Sequence, residues 1–399
     1  AQIIIGVFDG DAVFTFVPAA FGDEDFRQLV GLDRPSQSIV ASGELTSLVA
    51  EYGLTDNMVG LIDIVRLTST FLDEPSGLNA VLLQDFEVQR AAMTAGACGD
   101  EIREMADIAP RMIFGYTKID ASRTDTLGVI ELRNDIAAGL AGIAAPVPGM
   151  GSDPGGLISF GMSFNIEALK TFIEARLDAI EADPYECEHF QELQAGVPQA
   201  RGALAQPVPE FIYGFRGFNF VLDAITGLDL GSEAPPESVD GSVVLSMEDA
   251  PTMFAMGAMM NPMLASLNLE PDGVPVELQI PQLATMAEAA FAAMTDNALA
   301  ISIGADAEDR VGEVLDAPVA DPAPFLSASM DARWYYGLMA ESMLAEENAE
   351  GENPMPEAAR NALADAMMAF GDMYDRMYFD MRFTTRGLEM NSEAFLAEE

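Results

Sequence analysis

The chain has 399 residues, half of them hydrophobic, with 65 acidic side chains against 19 basic ones and a formal charge of -46 at neutral pH. That length and apolar content support at least one sizeable core and argue against a disordered chain. The charge repels phosphate backbones and anionic headgroups, which argues against nucleic acid or an acidic membrane surface as a direct partner.

Residues 3–8 and 12–17, rich in Ile, Val and Phe, read as two strands with Asp9-Gly10 as a hairpin turn between them. Helical spacing follows at 24–30, 42–52 and 99–105. From residue 127 the pattern predicts strand 127–132, helix 134–144, a Pro/Gly-rich loop 146–156, strand 157–164 and helix 165–180. An acidic loop bearing Cys187, helix 189–205 and an aromatic strand 211–222 come next. The same order returns from residue 298: strand 298–303, helix 306–315, a proline-rich loop 317–324, strand 325–330 and helix 331–346. It closes with an acidic loop 347–356, helix 357–370 and an aromatic strand 374–383.

The offset between matching elements stays near a constant, about 170 residues, and we read it as an internal duplication. The expected fold is α+β, with two related lobes, each a mainly antiparallel sheet packed against helices. Residues 1–126 would complete the first lobe and 127–230 form the first repeat. Residues 231–239 are a linker by composition, and 240–399 form the second lobe with the second repeat at 298–390.

Cys98 and Cys187 are the only cysteines. Both sit in what read as exposed turns beside helices, without a histidine partner set, and are expected to form one disulfide in an oxidising compartment. No run of about 20 apolar residues, the length that spans a bilayer, occurs. The chain opens at Ala1-Gln2 without methionine, which fits either removal of an export signal or a trimmed start.

Catalytic patterns are sparse. The single histidine, His189, lacks an identifiable nucleophile partner and reads as a surface or helix-start residue. One His and two Cys do not make a standard zinc site, and no P-loop, G-x-S-x-G elbow or EF-hand loop occurs. The expectation is a non-enzymatic protein without cofactor or metal. The acidity has two readings, adaptation to salty surroundings or cation binding.

The 24 methionines cluster. Met253, Met256, Met259, Met260 and Met263 recur at helical spacing, and Met367, Met368, Met373, Met377 and Met381 form a second group near Phe370. Core filling, an adaptable apolar groove and soft Cu(I) ligation are the three physical readings. The candidate ligand-binding residues are Met253, Met256, Met260, Met263, Met367 and Phe370.

The run Gly304-Ala305-Asp306-Ala307-Glu308-Asp309-Arg310 precedes Asp321-Pro322-Ala323-Pro324 and a short strand. Cys187-Glu188-His189-Phe190 precedes Arg216-Gly217-Phe218-Asn219-Phe220. In these stretches the last two thirds of the chain resembles uncharacterised exported envelope proteins of gammaproteobacteria. The resemblance implies a location in the periplasm or at the cell surface of a Gram-negative bacterium. The expected function is binding of an apolar ligand, a lipid or acyl chain, in a Met/Phe-lined groove. The alternative is a structural or protein-interaction component of the cell surface, with an envelope protein as partner. The oligomeric state is left open.

Overall fold

The computed structural model describes residues 2–8, 11–33, 38–39, 41–228, 235–260, 264, 267–279, 286–345 and 356–397. The Asp9-Gly10 turn, Met263, residues 231–234 of the linker and nearly all of the acidic loop 347–356 lie outside them. The strands in chain order are β1 (Gln2–Phe8), β2 (Asp11–Val17), β3 (Val59–Asp63), β4 (Arg111–Ile119), β5 (Arg123–Glu131), β6 (Ile158–Ser163) and β7 (Phe215–Thr226). They continue with β8 (Ser238–Met247), β9 (Val276–Glu277), β10 (Ala290–Met294), β11 (Ala298–Ile303), β12 (Leu326–Asp331), β13 (Tyr374–Phe383) and β14 (Gly387–Leu396). The fold is mixed α and β. Among the described residues, β1 and β2 pair only with each other, while the other strands form one antiparallel sheet in the order β3-β4-β5-β14-β13-β12-β6-β7-β8-β11-β10-β9.

That order is mirrored about the central β6–β12 pair. Outward on one side run β7, β8, β11, β10 and β9; on the other run β13, β14, β5, β4 and β3. The two central strands end alike. The Asn165 side chain accepts from the Ala168 N–H at 3.1 Å, and Asp331 accepts from the Trp334 N–H at 2.8 Å. Each so caps the helix that follows, Ile166–Ala182 and Ala332–Ala345. Both β7 and β13 open on a β-bulge directly after a helix. Both β5 and β11 lead into a helix, Asn134–Ala141 and Ala307–Leu315, and then a proline-containing loop.

One face of the sheet is covered at its centre and towards both ends. At the β4–β5 end, Leu48 and Tyr52 of the helix Glu44–Tyr52 pack with Ile113, Leu127 and Val129. At the opposite end, Val311 and Leu315 of the helix Ala307–Leu315 pack on Val244, Ala293, Ala298 and Ala300. The centre of this face lies under the loops 143–156 and 316–325. Ile143, Ala145, Val147 and Met150 of the first loop are buried. Met150 lies directly over Gly161, where an added Cβ would come within 2.7 Å of its side chain. Proline lacks an N–H, and these loops form little ladder of their own, so their buried carbonyls need donors. The sheet supplies them. The Ser163 hydroxyl donates to Pro324 O at 2.7 Å, the Ser246 hydroxyl to Pro146 O at 2.9 Å, and the Asn219 amide to Pro148 O at 3.3 Å.

Four expectations need correction, the first being that each of two lobes has its own sheet: the strands of both halves, β3 to β14, belong to one sheet, joined at its centre by the β6–β12 pair. The stretch 211–222 is not all strand: it begins inside the helix Glu210–Gly214, capped by Pro209, and β7 starts at Phe215. The helix expected over 189–205 is broken into a 3-10 turn, Glu188–Phe190, and two short helices, Gln191–Ala195 and Val197–Leu204. Pro198 suits the first turn of the second helix but not the interior of a longer one. The cysteines are not in exposed turns: Cys98 opens the helix Cys98–Ile108, and both are buried as the Cys98–Cys187 disulfide. Strands β3, β4, β8, β10 and β14 were not legible. In β14 the polar residues Glu389, Asn391 and Glu393 obscure a strand that is paired along both edges.

Candidate functional site: an open apolar sheet face

Residues paired across antiparallel strands project to the same side, so the registers define rows. One row runs through Phe114, Gly128, Met390, Met381, Leu326, Met162, Phe218, Leu245, Leu299 and Met294. The next runs through Tyr116, Thr126, Ser392, Phe379, Ala328, Phe160, Phe220, Val243, Ile301 and Ala292. A third holds Ala394, Met377, Met330, Ile158, Leu222, Gly241, Ile303 and Ala290. No charged side chain interrupts the three rows.

This apolar face is the less covered one. On the four central strands β13, β12, β6 and β7 every residue of these rows is half-buried or exposed, with Phe160 at 36% and Phe220 at 40%. The Phe160 and Phe218 rings lie 5.9 Å apart. On the other side of the same strands Tyr378, Asp380, Ser327, Ser329, Ser159, Ser163 and Asn219 are all buried. The sheet is inverted at its centre, with polar residues inside under the loops and apolar residues outside. A contiguous apolar surface of this kind marks a binding site more often than a structural accident.

The two methionine-rich helices border this face from different ends. In the helix Ala250–Met260, Met253 packs against the buried cluster of Met247, Ala250 and Met294, against which Leu245 and Leu299 also pack; Leu245, Leu299 and Met294 belong to the first row. Met253 and Met256 also line a groove of about 920 Å³ with Lys170, Thr171 and Tyr213. Met260 is 84% exposed. It lies two turns beyond Met253, about 10 Å along the helix. Along this helix Met253, Met256 and Met260 thus pack on the core, line the groove and reach the surface in succession. At the other end, Tyr336 of the helix Ala332–Ala345 contacts Met377 of the third row, its hydroxyl 3.8 Å from the sulfur, and its ring lies 6.0 Å from that of Phe370. Met367 and Phe370 stand on the neighbouring helix Glu357–Met373, half-buried and exposed respectively. The candidate residues thus do not converge on one another. A second groove, about 970 Å³, lies at the ends of β13 and β14, lined by Lys118, Arg123, Arg333, Trp334 and Tyr374.

Sequence reasoning missed Phe160, Phe218, Phe220, Phe379, Met162, Met330 and Met390. For Phe160 and Met162 the signal was the two-residue alternation of Ile158-Ser159-Phe160-Gly161-Met162-Ser163.

The charged groups near the centre are committed to one another. The Arg376 guanidinium forks onto Asp153, 2.7 Å on one arm, and donates to Gly156 O at 2.6 Å and to the Ser329 hydroxyl at 3.1 Å. Burial pushes the Asp153 carboxyl up, but Arg376 and the Gly155 N–H outweigh it and hold it below the usual range. Asp380 accepts from Arg382 at 2.7 Å, Asn391 at 3.0 Å and Tyr378 at 3.2 Å. Burial raises the Glu393 carboxyl; Arg123 opposes this, while Asp125, Asp380 and Asp153 add to it. His189 is exposed in its 3-10 turn. Among the described residues no group of three or more His, Cys, Asp or Glu side chains is placed to hold a metal ion. No helix among them is long and apolar enough to cross a membrane. Comparison with protein-family models, curated proteins and solved structures gives no match to this chain.

Proposed function

We propose that the chain is a non-enzymatic exported protein that binds an apolar ligand, a lipid or acyl chain, on the open Met/Phe face of its sheet. The observation that carries this reading is the inversion at the centre: Phe160, Phe220 and their row neighbours face outward while serines and Asp380 are buried. A face left apolar over four strands carries a standing cost in water that a ligand would remove. The envelope location rests on the resemblance and is supported by the buried disulfide, which suits an oxidising compartment. The mirrored strand order and the matched caps and bulges support an internal duplication, in which β3 and β4 stand on the β12 side of the sheet rather than completing the first lobe as expected for residues 1–126.

Native mass spectrometry of protein from its source should reveal a bound apolar mass. The variants Phe160→Glu and Phe220→Glu should abolish uptake of a neutral apolar dye while retaining the melting transition, because both sites already reach water. Undiminished uptake would remove the reading.

One observation favours the alternative, a protein-interaction role. In the β1–β2 hairpin, Ile3, Ile5, Val7, Phe14 and Phe16 share one face and are 60–77% exposed. An isolated two-stranded hairpin is marginal in water, so such a face suits a protein partner. Deleting residues 2–17 separates the two roles, since dye uptake would survive and partner capture would not.

A further inference from the structure

The open face also carries a charge preference, an inference that rests on the apolar-ligand reading above. We propose that its occupant is a cationic amphiphile, with the alkyl chain across the central strands and the positive end in the groove beside Met253 and Met256. Three observations combine. First, the groove adjoins the face, because Met253 lines the groove and packs against the buried cluster of Met247, Ala250 and Met294, of which Met294 ends the first row and against which Leu245 and Leu299 also pack. Second, β6 has six residues, and at a strand rise of about 3.3 Å each the face is roughly 20 Å long, enough for one extended chain. Third, the groove is net negative. The molecule carries -46, and the groove is lined by Glu167, Glu174, Glu248 and Asp249 against Lys170. Arg216 pairs with Glu248 at 2.8 Å, and carboxylates still outnumber cations.

The physics selects the headgroup. Concave, low-dielectric surfaces focus the field of the surrounding charge, so a cation is concentrated at such a groove and an anion repelled. A fatty-acid carboxylate would meet like charge there; an alkylammonium would not. The Tyr213 ring and the methionine sulfurs give polarisable walls for an ammonium and its methyl groups.

The test displaces a bound neutral apolar dye from the full chain with three single-chain probes below their micelle concentrations: dodecyltrimethylammonium, dodecanoate and a neutral dodecyl glycoside. At low salt the ammonium should displace the dye at about a tenfold lower concentration than the glycoside, and dodecanoate should be weakest. In high salt the ammonium's advantage should shrink while the glycoside is little changed. The double variant Glu167→Gln, Glu174→Gln, both at the solvent-facing groove wall, should cut the advantage several-fold and leave the glycoside unaffected. Equal potency of all three probes, or a preference for dodecanoate, overturns the charge preference and leaves the apolar-ligand reading standing. An advantage unchanged in the double variant overturns the groove as the headgroup site. Failure of any dye to bind overturns both readings together.

Discussion

The hydroxyls of Ser159 and Ser329 meet at 2.7 Å across the β6–β12 pair, joining residues 170 positions apart at the middle of the sheet. Both are buried, and Ser329 also accepts from Arg376. Each hydroxyl is held by the strand pair around which the sheet order is mirrored. Ser159→Ala should cost about 1 kcal/mol, since Ser329 keeps a partner, and Ser329→Ala about 1–3 kcal/mol, since Arg376 loses one. A double-mutant cycle by chemical denaturation should give a coupling of roughly 0.5–1.5 kcal/mol. Strict additivity would mean the contact contributes nothing.

The Cys98–Cys187 disulfide spans a sequence separation of 89 and ties the helix Cys98–Ile108 to the turn before Glu188–Phe190. Glu101 reinforces the junction by accepting from the backbone N–H of Glu186 at 2.6 Å. Replacing both cysteines with serine should lower stability by about 4.6 kcal/mol in the chain-entropy model. Denatured, unreduced protein should label no thiols, and reduction should release two.

Asp153 and Glu393 should give opposite pH signatures. The Asp153 carboxyl is held low, so the stability it contributes is present above its unfolded pKa and is lost as pH falls through the folded one. Asp153→Asn should therefore destabilise at neutral pH, by about 2–3 kcal/mol, and progressively less in acid. The Glu393 carboxyl is raised, so its favourable contribution belongs to low pH and is lost as pH rises through the folded pKa. Glu393→Gln should raise the melting temperature at neutral pH, with the gain fading on acidification. Identical pH profiles for the two variants would contradict both assignments.

Replacing Met256 and Met260 with glutamate tests the methionine helix. Met260 is already in water and Met256 lines the groove, so the fold should survive with a melting shift of no more than a few degrees. Dye uptake should fall, because a carboxylate on the apolar groove wall must be desolvated when the ligand enters. Collapse of the fold would show that this helix is sealed core.

A formal charge of -46 implies strong self-repulsion. If salt adaptation explains the acidity, the melting temperature should rise steadily from very low salt to 1 M NaCl as screening shortens to about 3 Å. If cation binding explains it, calcium at matched ionic strength should stabilise well beyond sodium. Thermal scans in the two salts separate the cases.

Local patterns in the sequence determined much of the secondary structure. Strand β11 is Ala298–Ile303 and β13 is Tyr374–Phe383, both where alternation places them, and Cys98 and Cys187 pair as their isolation from other thiols implies. Alternation in 158–163 also establishes that Ile158, Phe160 and Met162 share one face and Ser159, Gly161 and Ser163 the other. It does not say which face is inside. The usual rule puts the apolar side in, and here that rule fails, because the choice belongs to segments far away in the chain. The proline-containing loops bring the carbonyls of Pro146, Pro148 and Pro324 over the sheet, and only the serine and asparagine side can supply their donors. Those loops reach the sheet only in the folded chain, so tertiary structure alone decided that the serine and asparagine side would be covered and the phenylalanines and methionines would face outward.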